Sequence, residues 1–514
     1  GLVLEEVTII DERGRDGSPL RLDSLTLAIA PWRSIRQQAL QLDGLEARGL
    51  EVTARRDDAG VWRFPGLAPV PLPRAQTASA PWLDALRALP VDRLVIRDAR
   101  VLIEDQRGDA RLVLTPVALR WHKGEDAAWR FAIDARAGEQ RVRGRLHLPA
   151  GEPSAAQGYV ELEAIQGATL AGLIGNDSLR PEAEARLNGR AWLRFGADGR
   201  PRVTAELRAE GLGLLAGTLH QVHALGSWQE TADGWQGAVY PQQMQDDQGR
   251  SWQAGAIVGG RVGDGALRLR AEDWPLAPLA GLVPLPGAER AAGEGQLAGR
   301  LRSATLAYAA PGRWRAQLDM QAARWQGGAP LPMLRADAVR VRLGPQGGEA
   351  EIGALAATLA PAELLRRPLR PRAGQGRLRW WRTAGGAWRI AIDEWRGEWA
   401  GAPFHGQGRI WLTPERGPFV DLQGQLGGVP VADVLAHLPV GIMHERLVAW
   451  LDSAIAAGRL SGLGVRLYGP LAAFPFDNGA GLFDLQARLA DVDFRFNPEW
   501  APFRDADALL RFRN

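Results

Sequence analysis

The 514-residue chain has no cysteine, which excludes disulfides, thiolate nucleophiles, zinc–thiolate centres and iron–sulfur clusters together. It has a single lysine, Lys123; every other basic residue is arginine. The 62 basic and 59 acidic residues leave a net charge of only +3. The arginines stand singly among acids, with no run that would track phosphates, so no nucleic-acid partner is expected. No window reaches about 18 consecutive apolar residues, so no membrane-spanning helix is expected within these residues.

Catalytic signatures are missing as well. None of the seven histidines sits in HExxH spacing, no serine lies in GxSxG, and the lone lysine is not in a Walker A loop. His220 and His223 form an HxxH, for which a metal-free loop or edge-strand pair is the simpler reading. Gly211-Leu-Gly213 and Gly293-Glu-Gly295 imitate a dinucleotide fingerprint, but neither opens a helix after a parallel strand. Asp246-Asp247, Glu104-Asp105 and Asp505/Asp507 could be offered as glycosidase pairs, yet they fall in turn-like or strand-edge contexts. No enzyme, metal or cofactor is expected.

What is present is 62 glycines, 34 prolines, 20 tryptophans and an apolar content of 46%. That mixture argues for a folded chain of short elements broken by turns, not a helical bundle. Period-2 alternation dominates. In Trp129-Arg-Phe131-Ala-Ile133 the odd positions are large and apolar; Leu146 and Leu148, Val339 and Val341, Ile390 and Ile392, Phe483 and Leu485, and Phe494 and Phe496 repeat the pattern. Successive strand residues face opposite ways, so each run has one apolar and one wet face. Turn clusters separate the runs: Asp57–Gly60, Gln106–Asp109, Ala197–Gly199, Ala232–Gly234 and Gly385-Gly386. Strand plus turn at this spacing leaves room for about thirty strands, mostly antiparallel because the connections are short.

Helical signals are few. Pro81–Leu89 could form two turns, and Met443–Ala457 places Leu447, Trp450, Leu451, Ala454 and Ile455 on one face, with Gly458 as a stop. A strand running into a Leu-rich segment recurs from Glu161, Leu269 and Leu422, as in a β array with some longer links. The adjacent Trp380 and Trp381 should face opposite sides of a strand. The expected fold is all-β, mainly antiparallel, with a few short helices and an elongated curved sheet forming an apolar groove. Residues 1–420 form its N-terminal and central region, and 421–514 a C-terminal segment with the helix near 443–457.

The C-terminal quarter carries a more specific order. His437-Leu-Pro439 leads to Val440–Met443, to Trp450–Gly458 and to Val465–Gly469; Phe474-Pro-Phe476, Gly481-Leu-Phe483 and Phe494–Trp500 follow. This order resembles the YhdP branch of the AsmA-like proteins of Gram-negative envelopes, although Ala501 separates Trp500 from Pro502. Leu42–Trp62, a strand–turn–strand ending in Gly-x-Trp, is also similar to the family. The resemblance implies a periplasmic protein held in the inner membrane by a helix preceding Gly1. It also implies a repeating β-groove that moves phospholipid towards the outer membrane and supports its barrier, with other envelope proteins as partners and no catalytic set. On that reading the thirteen alternating residues from Trp129 to Phe496 named above line the groove. Closed β-sandwiches serving as a scaffold or adhesion protein would use the same alternation, and the tryptophans leave a glycan-binding protein as a further alternative. The opposing layer separates the first two: a sandwich covers the apolar face and a groove leaves it open.

Overall fold

Alternating sequences of this kind form strands that pair with their neighbours in the chain, and the structure follows that rule almost throughout. The computed structural model describes residues 1–9, 20–38, 42–56, 62–63, 91–105, 110–150, 155–167, 169, 185–196, 198–214, 217–246, 249–263, 265–278, 296–326, 333–359, 365–413, 417–497 and 499–513. The expected helix at Pro81–Leu89, the turns at 57–60 and 106–109, and Asp247 lie outside the described residues. The chain divides into two compact units, Gly1–Gly263 and Asp264–Asn514.

The first unit runs β1 (Leu2–Ile9), β2 (Leu20–Ile29), α1 (Pro31–Gln37), β3 (Leu42–Arg48), β4 (Glu51–Arg56), β5 (Trp62–Arg63) and β6 (Arg93–Asp105). It continues through β7 (Ala110–Lys123), β8 (Trp129–Ala137), β9 (Gln140–Leu148), β10 (Gln157–Gln166), β11 (Arg186–Phe195) and β12 (Pro201–Leu214). It closes with β13 (Gly217–Thr231), β14 (Gly234–Asp246), β15 (Ser251–Trp252) and β16 (Ile257–Val262). From β6 onwards it is an antiparallel meander. The exception lies before it, where β3 and β4 each pair parallel with β6, at Leu45↔Leu94 and Glu51↔Arg100.

The second unit runs β17 (Ala266–Pro275), β18 (Gln296–Ala310), β19 (Arg313–Gln326), β20 (Met333–Gly344), β21 (Gly347–Thr358), β22 (Arg372–Arg382) and β23 (Trp388–Trp399). Then come β24 (Ala402–Thr413), β25 (Gly417–Leu426), β26 (Val429–Pro430), α2 (Val431–Ala436), α3 (Glu445–Ala454), β27 (Ile455–Pro470), β28 (Leu482–Phe494) and β29 (Phe503–Arg513). All its described pairings are antiparallel. Within each unit, among the described residues, extensive contacts join only neighbouring strands or the short helices near β25–β27. Among the described residues no second sheet lies over either one.

Strict alternation fails at one recurring place. Ile96/Ala99, Leu162/Ile165, Ile352/Leu355, Ile392/Trp395 and Leu489/Val492 are three residues apart, and at each the pairing register shifts. The residue before the second member is left-handed in every case: Asp98, Ala164, Ala354, Glu394 and Asp491, with φ between 46° and 54°. These are β-bulges, in which the extra residue bends the strand and restarts the alternation. The bulge returns Ala99, Ile165 and Val492 to the apolar face, where they are buried. In each unit the bulges lie away from the rim that carries the hairpins at 124–128, 196–200 and 232–233 in the first and 311–312, 345–346 and 384–386 in the second; the two-residue hairpins at 138–139 and 400–401 lie at the opposite rim. We call these the bulge rim and the hairpin rim.

The helix expected over Met443–Ala457 is shorter, Glu445–Ala454. His444 caps it, its Nδ1 accepting from Arg446 N at 3.1 Å. At the other end Ile455 enters β27 and pairs with Phe494, so strand pairing ends the helix before Gly458 is reached. Gly458 instead sits at φ 126° against β28, where a Cβ would come 2.4 Å from Val492 Cγ2.

Candidate functional site

Direct cross-strand pairing lines up the apolar residues into a lane. In the first unit it runs Leu119, Ile133, Gly144, Val160, Ala191, Ala205, Gly226, Val239 and Ile257, from β7 to β16, each residue facing the next. In the second it runs Ala271, Ala304, Leu318, Val341, Ala350, Leu378, Ile392, Gly408, Leu422, Leu467 and Phe483, from β17 to β28. At 4.7–4.9 Å per strand the lanes are about 38 and 48 Å long. No polar side chain interrupts either row.

Small residues are interspersed among large ones along the lanes. A Cβ on Gly144 would approach Ile133 Cγ2 to 2.8 Å, and one on Gly408 would approach Leu422 Cδ2 to 2.3 Å. Glycine at these positions lets the neighbouring side chain lie across the strand. The lane face is open to solvent in places: Val160 is 42% exposed and Val239 44% in the first lane, and Trp388 41% and Leu412 38% beside the second, at the hairpin rim. Between β10 and β14 the face sinks into a concavity of 260 Å³ lined by Val160, Leu162, Ala191, Ala205, Leu207, Ala224 and Val239.

The opposite face is a ladder of charges. Asp134, Arg143, Glu161, Arg190 and Glu206 face one another across β8–β12. Asp319, Arg340, Glu351, Arg377 and Asp393 do so across β19–β23. Arg340–Asp319 at 2.7 Å and Arg377–Glu351 at 3.3 Å are typical separations. Hydrogen bonds from Arg141, Arg340 and Arg379 hold Asp134, Asp319 and Asp393 below the usual carboxylate range. His223 Nε2 lies 3.1 Å from Glu206 Oε1 and is the leading cause of that carboxyl's lowered pKa. Among the described residues no cluster of three or more His, Asp or Glu is arranged to hold a metal.

The sequence-derived residues divide by surroundings. Phe131, Ile133, Leu146, Val339, Val341, Ile390, Ile392, Phe483 and Leu485 are half-buried on the lane face of their strands. Trp129 shares that face and lies 4.9 Å from the buried Trp121 ring, whereas Leu148 is only 2% exposed. Phe494 packs in the cluster beneath α3, and Phe496 lies beyond the end of β28. Trp380 faces Ile390 in the lane, and Trp381 faces Arg389 on the other side.

One end of the second lane is covered. Val431 of α2 and Leu451 and Ala454 of α3 join Val429, Ile455, Leu460, Leu489 and Val492 in the largest buried cluster among the described residues. Trp450 packs at its edge, 6.0 Å from Phe494 and 5.9 Å from Phe496, and its Nε1 donates to Phe496 O at 3.0 Å. Arg366 donates to both Asp452 oxygens at 2.8 Å and to Leu435 O at 3.1 Å. This fork ties both helices to the segment after β21. Nothing in the sequence signals a pair 86 residues apart.

The Arg366 hydrogen bond is also the main reason Asp452 has a lowered pKa. A depressed carboxylate pKa adds stability above the unfolded value and loses it as pH falls through the folded one. Asp452→Asn is therefore expected to cost about 1 kcal/mol at neutral pH, solvent screening included. It should also flatten the acid limb of helix-pair melting followed by Trp450 fluorescence. An unchanged acid limb would remove the latch.

A family model described as the YhdP protein matches residues 1–514. An Escherichia coli (strain K12) protein named intermembrane phospholipid transporter YhdP is 25% identical over 309 residues, covering 55% of this chain. The aligned part is 24% of that protein's length, so the chain spans about a quarter of the curated relative. No solved structure gives a significant match.

Proposed function

The chain belongs to the YhdP family, and from that membership we propose that it carries phospholipid between the inner and outer membranes through its apolar lanes. The observation that carries the reading is the unbroken row from Ala271 to Phe483, eleven strands wide and, among the described residues of its unit, without an opposing sheet. An open apolar face of that length is a binding surface in a water-exposed protein. A 16-carbon tail left in water costs about 13 kcal/mol at 0.8 kcal/mol per CH₂. A continuous apolar floor removes that cost at each step, so sliding requires no chemical step and no catalytic residue.

In this proposal the protein works in the periplasm, anchored to the inner membrane by a segment outside these residues, and sustains the outer-membrane permeability barrier with other envelope proteins. Trp129, Phe131, Ile133, Leu146, Val339, Val341, Ile390, Ile392, Phe483 and Leu485 line the path. Leu148, Phe494 and Phe496 support its margins. The segment from 421 onwards caps one end through α2 and α3. No membrane-crossing helix occurs among the described residues.

Photo-crosslinking residues at Phe131, Val341 and Ile392 should capture phospholipid, identified by mass spectrometry, while those at Arg130 and Asp134 should not. Equal capture from both faces would reject the lanes as the path.

A further inference from the structure

Two hairpins, one in each unit, share a design that an apolar lane by itself does not require. Lys123-Gly-Glu-Asp-Ala-Ala-Trp129 and Arg382-Thr-Ala-Gly-Gly-Ala-Trp388 both place a cation six residues before a tryptophan. Their loops close alike: Gly124 N donates to Ala128 O at 2.8 Å, and Thr383 N to Ala387 O at 2.9 Å. The hairpin at 196–200 closes the same way, Gly196 N to Arg200 O at 2.9 Å, yet Phe195 and Pro201 flank it. The loop therefore does not demand the cation or the indole.

In both hairpins cation and tryptophan are direct cross-strand partners, Lys123↔Trp129 and Arg382↔Trp388. A third pair, Arg261↔Trp235, forms between β16 and β14 without a hairpin. All six residues have lane-face parity: Lys123 follows Trp121 by two, Arg382 follows Trp380 by two, and Arg261 follows Gly259 by two. The Lys123 Nζ lies 5.7 Å from the Trp129 ring centroid. The three cations are exposed, and among the described residues none pairs with a carboxylate, unlike the arginines of the opposite face. Two acids lie close in register: Asp92, opposite Lys123, whose N donates to Asp92 O at 2.8 Å, and Glu230, across Trp235 from Arg261; the Arg382 Nε donates to Gly386 O of its own hairpin at 3.3 Å.

The bulge rim of the second lane has a different character. Leu334, Ala336, Leu355 and Ala357 occupy its face there and none is charged. Three tryptophans at that rim are packed into the protein: Trp274 is buried, Trp395 lies over Gly376, and Trp399 joins the cluster under the helices; Trp325, paired with Leu334, is half-buried.

Indole beside a long flexible cation suits a boundary where hydrocarbon gives way to anionic headgroups. We infer that the hairpin rim is the headgroup side of each lane, where Lys123/Trp129, Arg261/Trp235 and Arg382/Trp388 hold the phosphodiester of a lipid whose tails point towards the bulge rim. The inference rests on the lipid reading above and adds orientation and a preference for phosphate.

The test loads the purified full chain with dioleoyl phosphatidylglycerol or with dioleoylglycerol, which has the same tails and no phosphate. Bound lipid is counted by mass spectrometry for the wild type and for the triple variant Lys123→Glu, Arg261→Glu, Arg382→Glu. Phosphatidylglycerol occupancy is expected to fall roughly fivefold per engaged cation, with dioleoylglycerol unchanged. Equal loss of both lipids, or no loss of phosphatidylglycerol, would overturn the rim assignment while leaving the lanes standing. Failure of the wild type to bind either lipid would overturn the lanes and the rim with them. A second measurement needs no variant: a headgroup diazirine should label the 124–128 and 384–386 hairpins. Labelling concentrated at Leu334 to Ala357 would reverse the orientation and refute the assignment.

Discussion

Ile390→Asp is expected to abolish lipid passage while leaving a folded protein. Ile390 is half-buried and faces Trp380 on one side and Ile410 on the other, in the middle of the second lane. A path that lipid must traverse lengthwise fails at its least passable cross-section, so one charge among the tails is enough. In a closed core the same carboxylate would be stranded away from water at severe cost. If the lane is the open lipid path proposed above, water reaches it whenever lipid is absent, and the expected loss is about 1–2 kcal/mol, within the ordinary range for single substitutions. The measurement pairs thermal unfolding with an envelope-permeability complementation assay in the full-length protein. Collapse of the fold would indicate a covered face. A stable variant that still complements would reject the conduit.

Inserting one alanine between Ile390 and Ala391 of β23 is expected to do the reverse and destroy the fold of that region. The insertion carries Ile392, Trp395 and Trp399 to the charged face and brings Asp393, Arg396 and Glu398 onto the lane, because a one-residue slip exchanges the two faces of a strand. Trp395 would leave its place over Gly374 and Gly376, and Trp399 would leave the helix-covered cluster. Losing one tryptophan's packing costs about 3–5 kcal/mol, so the insertion should exceed about 4 kcal/mol. Deleting Glu394, the left-handed residue of the bulge at φ 46°, is expected to be far milder. It leaves Ile392 and Trp395 two apart on their present face, and the pairings Ile392↔Gly408 and Trp395↔Gly406 then become a regular ladder. Chemical denaturation of both variants decides the matter. An insertion as mild as the deletion would mean that alternation does not set the faces of this strand.

The bulges also show what sequence reading can miss. An i, i+3 apolar spacing inside an i, i+2 run, as in Ile96/Ala99 or Ile392/Trp395, is a legible signal. It passes unnoticed when each run is read separately up to the point where its alternation stops. The Lys123 and Arg382 hairpins are likewise visible in the sequence once the seven-residue pattern is compared between units. Arg366 and Asp452 differ in kind. Their pairing depends on where the chain after β21 returns relative to α3, and no local pattern encodes it.

By itself the sequence determined a two-faced antiparallel β protein without thiols, with a helix near 443–457 and a family resemblance in its last quarter. Period-2 alternation is a local property, set by which side of its own strand each residue occupies. Only the tertiary structure decided the rest: the cross-strand register that joins Ala271 to Phe483 into one lane, and the bulges that keep that lane apolar past Ile392. It also decided which stretch the helices cover and which stays open. The physical reason is that a sandwich core and an open groove bury the same residues of a strand on the same face. Whether another layer arrives over that face depends on contacts between segments far apart in the chain.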